Sequence, residues 1–312
     1  MASDETPREL FRVLALDGGG AKGFYTLGVL HEIEAMAGPL HERFNLVYGT
    51  STGAIIAALI CLGYSVADIR KLYQEHVVKV MARLLPSAKS AALADLARDV
   101  FKDAAFTDVK TGIGIVCTKW GQERPMIFKA SKAQAFGSKS SFVPGFGVPI
   151  GEAVQASCSA YPFFQKKTVI TSLGESIELG DGGFCANNPS LYALADATVS
   201  MKLPRENVRL ISIGVGEYPS PKAGLFSLRR WFNYMFTVRL LQKTLEINTQ
   251  SMDQLRIALF KDIKTVRISQ AYTQPEMATD MFEHNAKKLD ELWQRGRRSF
   301  EGHEAVLKEY LL

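Results

Sequence analysis

Residues 44–62 read Phe-Asn-Leu-Val-Tyr-Gly-Thr-Ser-Thr-Gly-Ala-Ile-Ile-Ala-Ala-Leu-Ile-Cys-Leu, two apolar stretches joined by one small-residue turn. Phe44 to Tyr48 has the length of a short strand, and Ala54 to Leu62 continues as an apolar stretch rich in Ala, Ile and Leu that suits a buried helix. The turn, Gly49-Thr50-Ser51-Thr52-Gly53, fits Gly-x-Ser-x-Gly. In that pattern the small flanking residues let a serine sit on a strained turn between strand and helix with its hydroxyl exposed. Ser51 would then stand at the positive end of the helix beginning near Thr52, where free amides and the dipole favour an alkoxide-like nucleophile. An ordinary glycine-flanked turn is the competing reading.

The unit just upstream has the same form. Arg12 to Leu16 is a short apolar run ending at Asp17 and Gly18-Gly19-Gly20, after which Phe24, Leu27, Leu30 and Ile33 follow a helical rhythm. Two successive strand-turn-helix units predict an α/β fold with a mainly parallel central sheet flanked by helices. Three consecutive glycines after a strand can aim backbone amides into one space, which suits an oxyanion on an attacked ester carbonyl. Parallel strands would open both turns on one edge of the sheet, bringing this loop to Ser51. Gly18, Gly20 and Gly23 also satisfy the dinucleotide pattern Gly-x-Gly-x-x-Gly, but the acid expected near the end of the second strand is replaced by Tyr48-Gly49-Thr50-Ser51. No Gly-Lys-Ser/Thr follows at P-loop spacing, and a ligand-free glycine turn stays open as a third reading.

Further along, Val66 to Met81, Ala91 to Val100, Ile150 to Cys158 and Leu191 to Met201 read as helices, and Ile113 to Thr118 and Met126 to Phe128 as strands about a polar turn. Val169-Ile170 with Ile177 to Leu179 reads as a hairpin and Val208 to Val215 as a buried strand. Ser131 to Pro149, rich in Ser, Gly and Pro, is the best candidate for a loop and for a lid. Helices dominate the last third, in Leu225 to Ile247 and Met277 to Leu311. Phe226, Arg229, Arg230, Trp231, Phe232, Tyr234, Phe236 and Arg239 would suit a membrane surface, but their helical periodicity favours a core helix with solvated arginines.

A serine esterase needs a base, usually a histidine held by a carboxylate. His31, His41 and His76 precede any strand able to carry them to the sheet's carboxyl edge, and His284 and His303 fall in charged C-terminal helices. Asp181, in Asp181-Gly182-Gly183 directly after the apolar Ile177 to Leu179, is the alternative base, although a lone Asp-Gly is most often a turn.

In company these motifs resemble the patatin-like phospholipase family. Asp17 to Gly23 is similar to the family's Asp-Gly-Gly-Gly-x-Arg-Gly, Gly49 to Gly53 to its nucleophile motif, and Asp181-Gly182-Gly183 with Asn187-Asn188-Pro189 to its acid motif. Ala156-Ser157-Cys158-Ser159-Ala160 resembles the small-residue helix end before that hairpin, and Ile213-Gly214-Val215-Gly216 the late strand. The resemblance implies a patatin-like three-layer fold, Ser51 as nucleophile, Asp181 as general base, Gly18, Gly19 and Gly20 as oxyanion donors, and no metal or cofactor. Lys22 stands where arginine is common, keeping the charge but losing the planar fork. Residues 10–216 would form the catalytic core and 217–312 a mainly helical C-terminal part of the same domain.

The implied activity is hydrolysis of fatty acyl esters in membrane glycerophospholipids. Leu14 to Leu30 looks particularly like antiphage relatives switched on by a cyclic oligonucleotide, so a cyclic di- or trinucleotide is the activator to test. A homo-oligomer is compatible with this reading, and a nucleic-acid polymer is not expected as a partner. The runner-up is a non-catalytic protein that binds a nucleotide or other anion on the Gly18–Gly23 loop.

Composition bounds these readings. The 312 residues are 47% hydrophobic and 22% charged, values of an ordinary globular chain, and the net charge of +5 is too small to name a partner. Cys61, Cys117, Cys158 and Cys185 stand far apart with no Cys-x-x-Cys pair, which points to a reducing compartment and no structural zinc. Met1 to Arg8 has no signal-peptide character, and Ala54 to Leu62 falls short of the roughly 20 residues of a membrane span. The expected location is therefore cytoplasmic, with action at the inner face of the cell membrane.

Overall fold

A computed structural model describes residues 10–137, 139–219 and 228–312, and for 228–236 the backbone only. The strands are β1 Phe11–Leu16, β2 Leu46–Thr50, β3 Gly112–Lys119, β4 Arg124–Lys129, β5 Lys167–Ile170, β6 Ser176–Asp181, β7 Val208–Ile213 and β8 Lys264–Ile268. Between them run α1 Gly23–Ala37, α2 Leu40–Arg43, α3 Thr52–Leu62, α4 Val66–Leu72, α5 Val78–Met81, α6 Pro86–Leu96, α7 Ile150–Ser157, α8 Gly183–Ala186 and α9 Ser190–Ala195. The long α10 Leu228–Leu259, α11 Ala286–Glu301 and α12 Glu304–Leu311 complete the order.

Strands β3-β2-β1-β7-β8 are parallel, and β4, β5 and β6 add antiparallel pairs at one side. The central strands are buried on both faces, as parallel strands are. Leu14 and Leu16 point into one core with α1, α3 and α11, whereas Val13 and Ala15 point into another with α9 and the end of α10. Helices thus cover both sides of a mixed sheet.

One detail of register decides the chemistry. β4 takes one edge of β3 over residues 114–119, while β2 runs along the other edge as far as Thr50 opposite Val116. From Cys117 onward β6 takes over that second edge, with Asp181 opposite Cys117. β2 and β6 therefore approach each other end to end, and the residue after β2, Ser51, meets the last residue of β6.

Two expectations change. Ser131 to Pro149 is a loop, but Gln134 donates from Nε2 to Ile113 O at 2.9 Å and Phe146 packs edge-on against Phe128. That fastens it at the amino end of β3, opposite Ser51, where it cannot cover the site. The last third also contributes a strand: β8, five residues long and hidden between helical stretches, joins the sheet parallel to β7. Of the aromatic-basic stretch, the side chains of residues 226–236 lie outside those described; Val238, Leu241 and Leu245, farther along α10, are buried as core periodicity requires.

Candidate active site

The turn after β2 holds Ser51 at φ 52° and ψ −124°, a left-handed backbone that costs a serine energy and lifts its side chain out of the turn. The flanking glycines are steric necessities: a Cβ at Gly49 would lie 2.3 Å from Gly53 O, and one at Gly53 would lie 2.3 Å from Leu16 O. Ser51 N–H donates to Ser157 Oγ at 2.9 Å, and the Ser157 hydroxyl donates to Val116 O at 2.6 Å. Ser157, at the end of α7, thus ties the turn to β3. This small-residue stretch was visible in the sequence, but its bracing role was not.

Ser51 Oγ donates to Asp181 Oδ2 at 2.7 Å. The other oxygen, Oδ1, accepts the Gly183 N–H at 2.7 Å, and the Asp181 backbone is fixed by its N–H to Ser159 O at 3.0 Å. Burial pushes the Asp181 carboxyl up to about 6, and the bonds from Gly183 and Ser51 pull in the opposite direction. Gly182 is needed because a Cβ there would lie 2.1 Å from Val116 O.

The glycine loop after β1 comes to the same edge, and a Cβ on Gly18 would stand 3.1 Å from Ser51 Cβ. Its three amides are not equivalent. Gly18 N–H donates to Asn187 O at 3.0 Å, so its hydrogen is already used. Gly19 and Gly20 N–H have no acceptor among the described residues, while Ala21 N–H donates to Met281 O at 2.9 Å. Asn187 Nδ2 also donates to Gly18 O at 3.2 Å and to Thr249 Oγ1 of α10 at 2.7 Å, clamping the loop from the acid side.

Asp17, buried under this loop, receives both nitrogens of Arg267 from β8, at 2.9 and 2.5 Å. Burial raises the Asp17 carboxyl above its usual range, and Arg267 opposes that shift. Arg267 was missed with its strand; the signal was the buried acid itself, which needs a cation. Lys22 is buried with Nζ 3.7 Å from Glu246 of α10, and burial lowers its pKa while Glu246 opposes that shift. It is an ion-pair partner rather than a fork. Gly23 seats the start of α1 against Tyr73, whose hydroxyl would lie 2.6 Å from a Cβ there.

Two cavities meet at this edge. A cleft of about 740 Å³ opens beside Gly18 and Gly19, with Lys22, Tyr218, Lys243 and Thr249 in its walls. An apolar channel of about 20 Å³ ends on Ser51, bounded by Ile55, Val80, Leu93, Leu96 and Phe164. Met281 lies in the wall of both. Burial raises the pKa of all four cysteines, so none offers a thiolate rival to Ser51. The His284 and His303 rings sit against the Phe282 and Ser299 carbonyls and His31 against Trp293; among the described residues no histidine bonds Ser51 or Asp181. No group of three or more His, Cys, Asp or Glu able to hold a metal ion occurs among the described residues, and no described helix is long and apolar enough to cross a membrane.

Comparison with known proteins adds descent to this geometry. The family model of the patatin-like phospholipases matches residues 14–194. The chain is 62% identical over 302 residues to a cUMP-AMP-activated phospholipase of Escherichia coli, spanning 96% of this chain and 94% of that protein. It is 26% identical over 248 residues to a cGAMP-activated phospholipase of Escherichia coli (strain TW11681), spanning 72% and 67%. VipD from Legionella pneumophila aligns with a TM-score of 0.48 and 12% identity over 97% of this chain and 67% of its own. With more than half of its length matched by the family model, this chain belongs to the patatin-like phospholipase family of hydrolases.

Proposed function

We propose that the enzyme hydrolyses fatty acyl esters of membrane glycerophospholipids with Ser51 as nucleophile and Asp181 as its only base, at the inner face of the cell membrane. The observation that carries this reading is the 2.7 Å hydrogen bond between Ser51 Oγ and Asp181 Oδ2, beside two glycine amides with no acceptor among the described residues. Ser51 Oγ attacks the ester carbonyl carbon while Asp181 takes its proton, and the Gly19 and Gly20 amides receive the oxyanion. Gly18 shapes the loop without donating. Asp181 then gives its proton to the departing lysolipid oxygen. It next takes a proton from water, whose attack on the acyl-Ser51 ester releases the fatty acid as Asp181 returns that proton to Ser51 Oγ.

The near-full-length likeness to a cUMP-AMP-activated phospholipase supports a cyclic nucleotide as activator, and with it a part in antiphage defence. The test is fatty-acid release from phospholipid vesicles by wild type, Ser51→Ala and Asp181→Asn, each with and without cUMP-AMP, cGAMP and cyclic trinucleotides. We expect release by wild type with one nucleotide and a fall of roughly 10⁴-fold or more in both variants. No release by wild type under any condition, with nucleotide binding that survives Ser51→Ala, would instead favour the anion-binding protein.

A further inference from the structure

The channel that ends on Ser51 is too small for its task. Ser51 is 8% exposed, and the apolar space beside it is about 20 Å³, where about 10–15 Å³ holds a single water. A fatty acyl chain can enter only if a wall moves. Much of that wall is one hairpin: Val80 and Met81 of α5 and Leu93 and Leu96 of α6 face the channel. A π-turn brackets it at each end, Tyr73–Val77 before α5 and Ala97–Phe101 after Leu96, so regular helical bonding is interrupted on both sides of the unit. Inside, Lys89 Nζ bonds Met81 O at 3.0 Å and lies 4.4 Å from the Phe282 ring, tying the two helices to each other and to the neighbour of Met281.

The tip of this hairpin presents apolar surface to solvent. Leu84 is 85% exposed and Leu85 66%, one helical turn from Met81, with exposed Arg83 before them. A second feature stands beside the second turn of α6. Gln165 N–H bonds Ser90 Oγ at 2.8 Å, and the segment it belongs to carries exposed Tyr161, tilted against Trp120 under the Lys166 ammonium. Lys166 is itself paired with Glu178 at 2.7 Å, so the apolar point carries exposed Arg83 as its cation and the Trp120–Tyr161 ring pair at its side. That combination matches the layering of a phospholipid surface: hydrocarbon below, ring-level interface, anionic phosphate above.

We propose that the α5–α6 hairpin is the bilayer-binding element of the enzyme: Leu84 and Leu85 enter an anionic phospholipid membrane while the opposite face of the same hairpin leads the acyl chain to Ser51. The inference rests on the phospholipase reading. It adds the place where lipid meets protein and the wall that yields.

Membrane binding is read separately from catalysis, on Ser51→Ala protein, by co-sedimentation with vesicles of equal parts phosphatidylethanolamine and phosphatidylglycerol, cUMP-AMP being present throughout. Adding Leu84→Asp and Leu85→Asp should weaken sedimentation about tenfold or more, and adding Leu84→Trp and Leu85→Trp should strengthen it. On a Ser51 background the Asp pair should lose vesicle hydrolysis by a similar factor yet keep hydrolysis of soluble p-nitrophenyl butyrate. Undiminished sedimentation of the Asp pair, a Trp pair that binds no tighter, or equal loss on both substrates overturns the proposal. Protein that sediments as expected but releases no fatty acid from either substrate counts against the catalytic reading and leaves the membrane surface standing.

Discussion

At the residue scale the proposed mechanism asks one carboxylate to do work usually shared by two side chains. With no histidine between them, Asp181 must be ionised to accept the Ser51 proton, and burial has moved its pKa up to about 6. Protonation removes the base, so vesicle hydrolysis should fall about tenfold for each pH unit below that value and level off above it. A pH–rate profile of kcat/KM checks the sign; a rate unchanged between about pH 4 and about pH 7 would remove Asp181 from the role. The motif residues were legible in the sequence because each answers a close contact: Gly49, Gly53 and Gly182 all face backbone oxygens nearer than a Cβ allows. What spacing did not disclose was which loop amide is free, since Gly18 N–H is taken by Asn187, 169 positions away.

At the element scale, short strands carry the decisive register. The short lengths of β1, β2 and β3 could be read because apolar residues filled them, and the two strand-turn-helix units were evident for the same reason. β8 was not, because Lys264 and Arg267, three positions apart, put a charge on each face of Lys-Thr-Val-Arg-Ile, and the strand lies between helices. Its inward cation is what the glycine loop needs. Arg267→Met should cost about 3–5 kcal/mol by leaving Asp17 a buried, unpaired carboxylate. Asp17→Asn in the same chain should recover part of that loss, as urea unfolding of the two singles and the double would show. Simple additivity would mean that the pair does not act as a unit.

At the scale of the whole molecule, the site is assembled from parts far apart in the chain. Ser51 comes from the first fifth, Asp181 from beyond the middle, the loop clamp from α10 and the loop's buried counter-ion from β8, while α11 packs on the helix that follows the loop. A chain ended at Leu259 retains Ser51, Asp181 and all three loop glycines but lacks Arg267 and α11. It should release no fatty acid and show little near-UV circular dichroism. Hydrolysis by that fragment would mean that the loop holds its shape without its counter-ion.

The late position of Arg267 also bears on when the glycine loop acquires its brace as the chain is made. Synthesis proceeds from the amino end, so Ser51 leaves the ribosome more than two hundred positions ahead of the arginine that braces the anion-binding loop. A nascent chain carries a serine, later a serine and an acid, but not the braced loop until Arg267 has emerged. Under the proposed function, lipid cleavage is thereby deferred until β8 has joined the sheet, and a product terminated before Arg267 should leave membrane lipid intact.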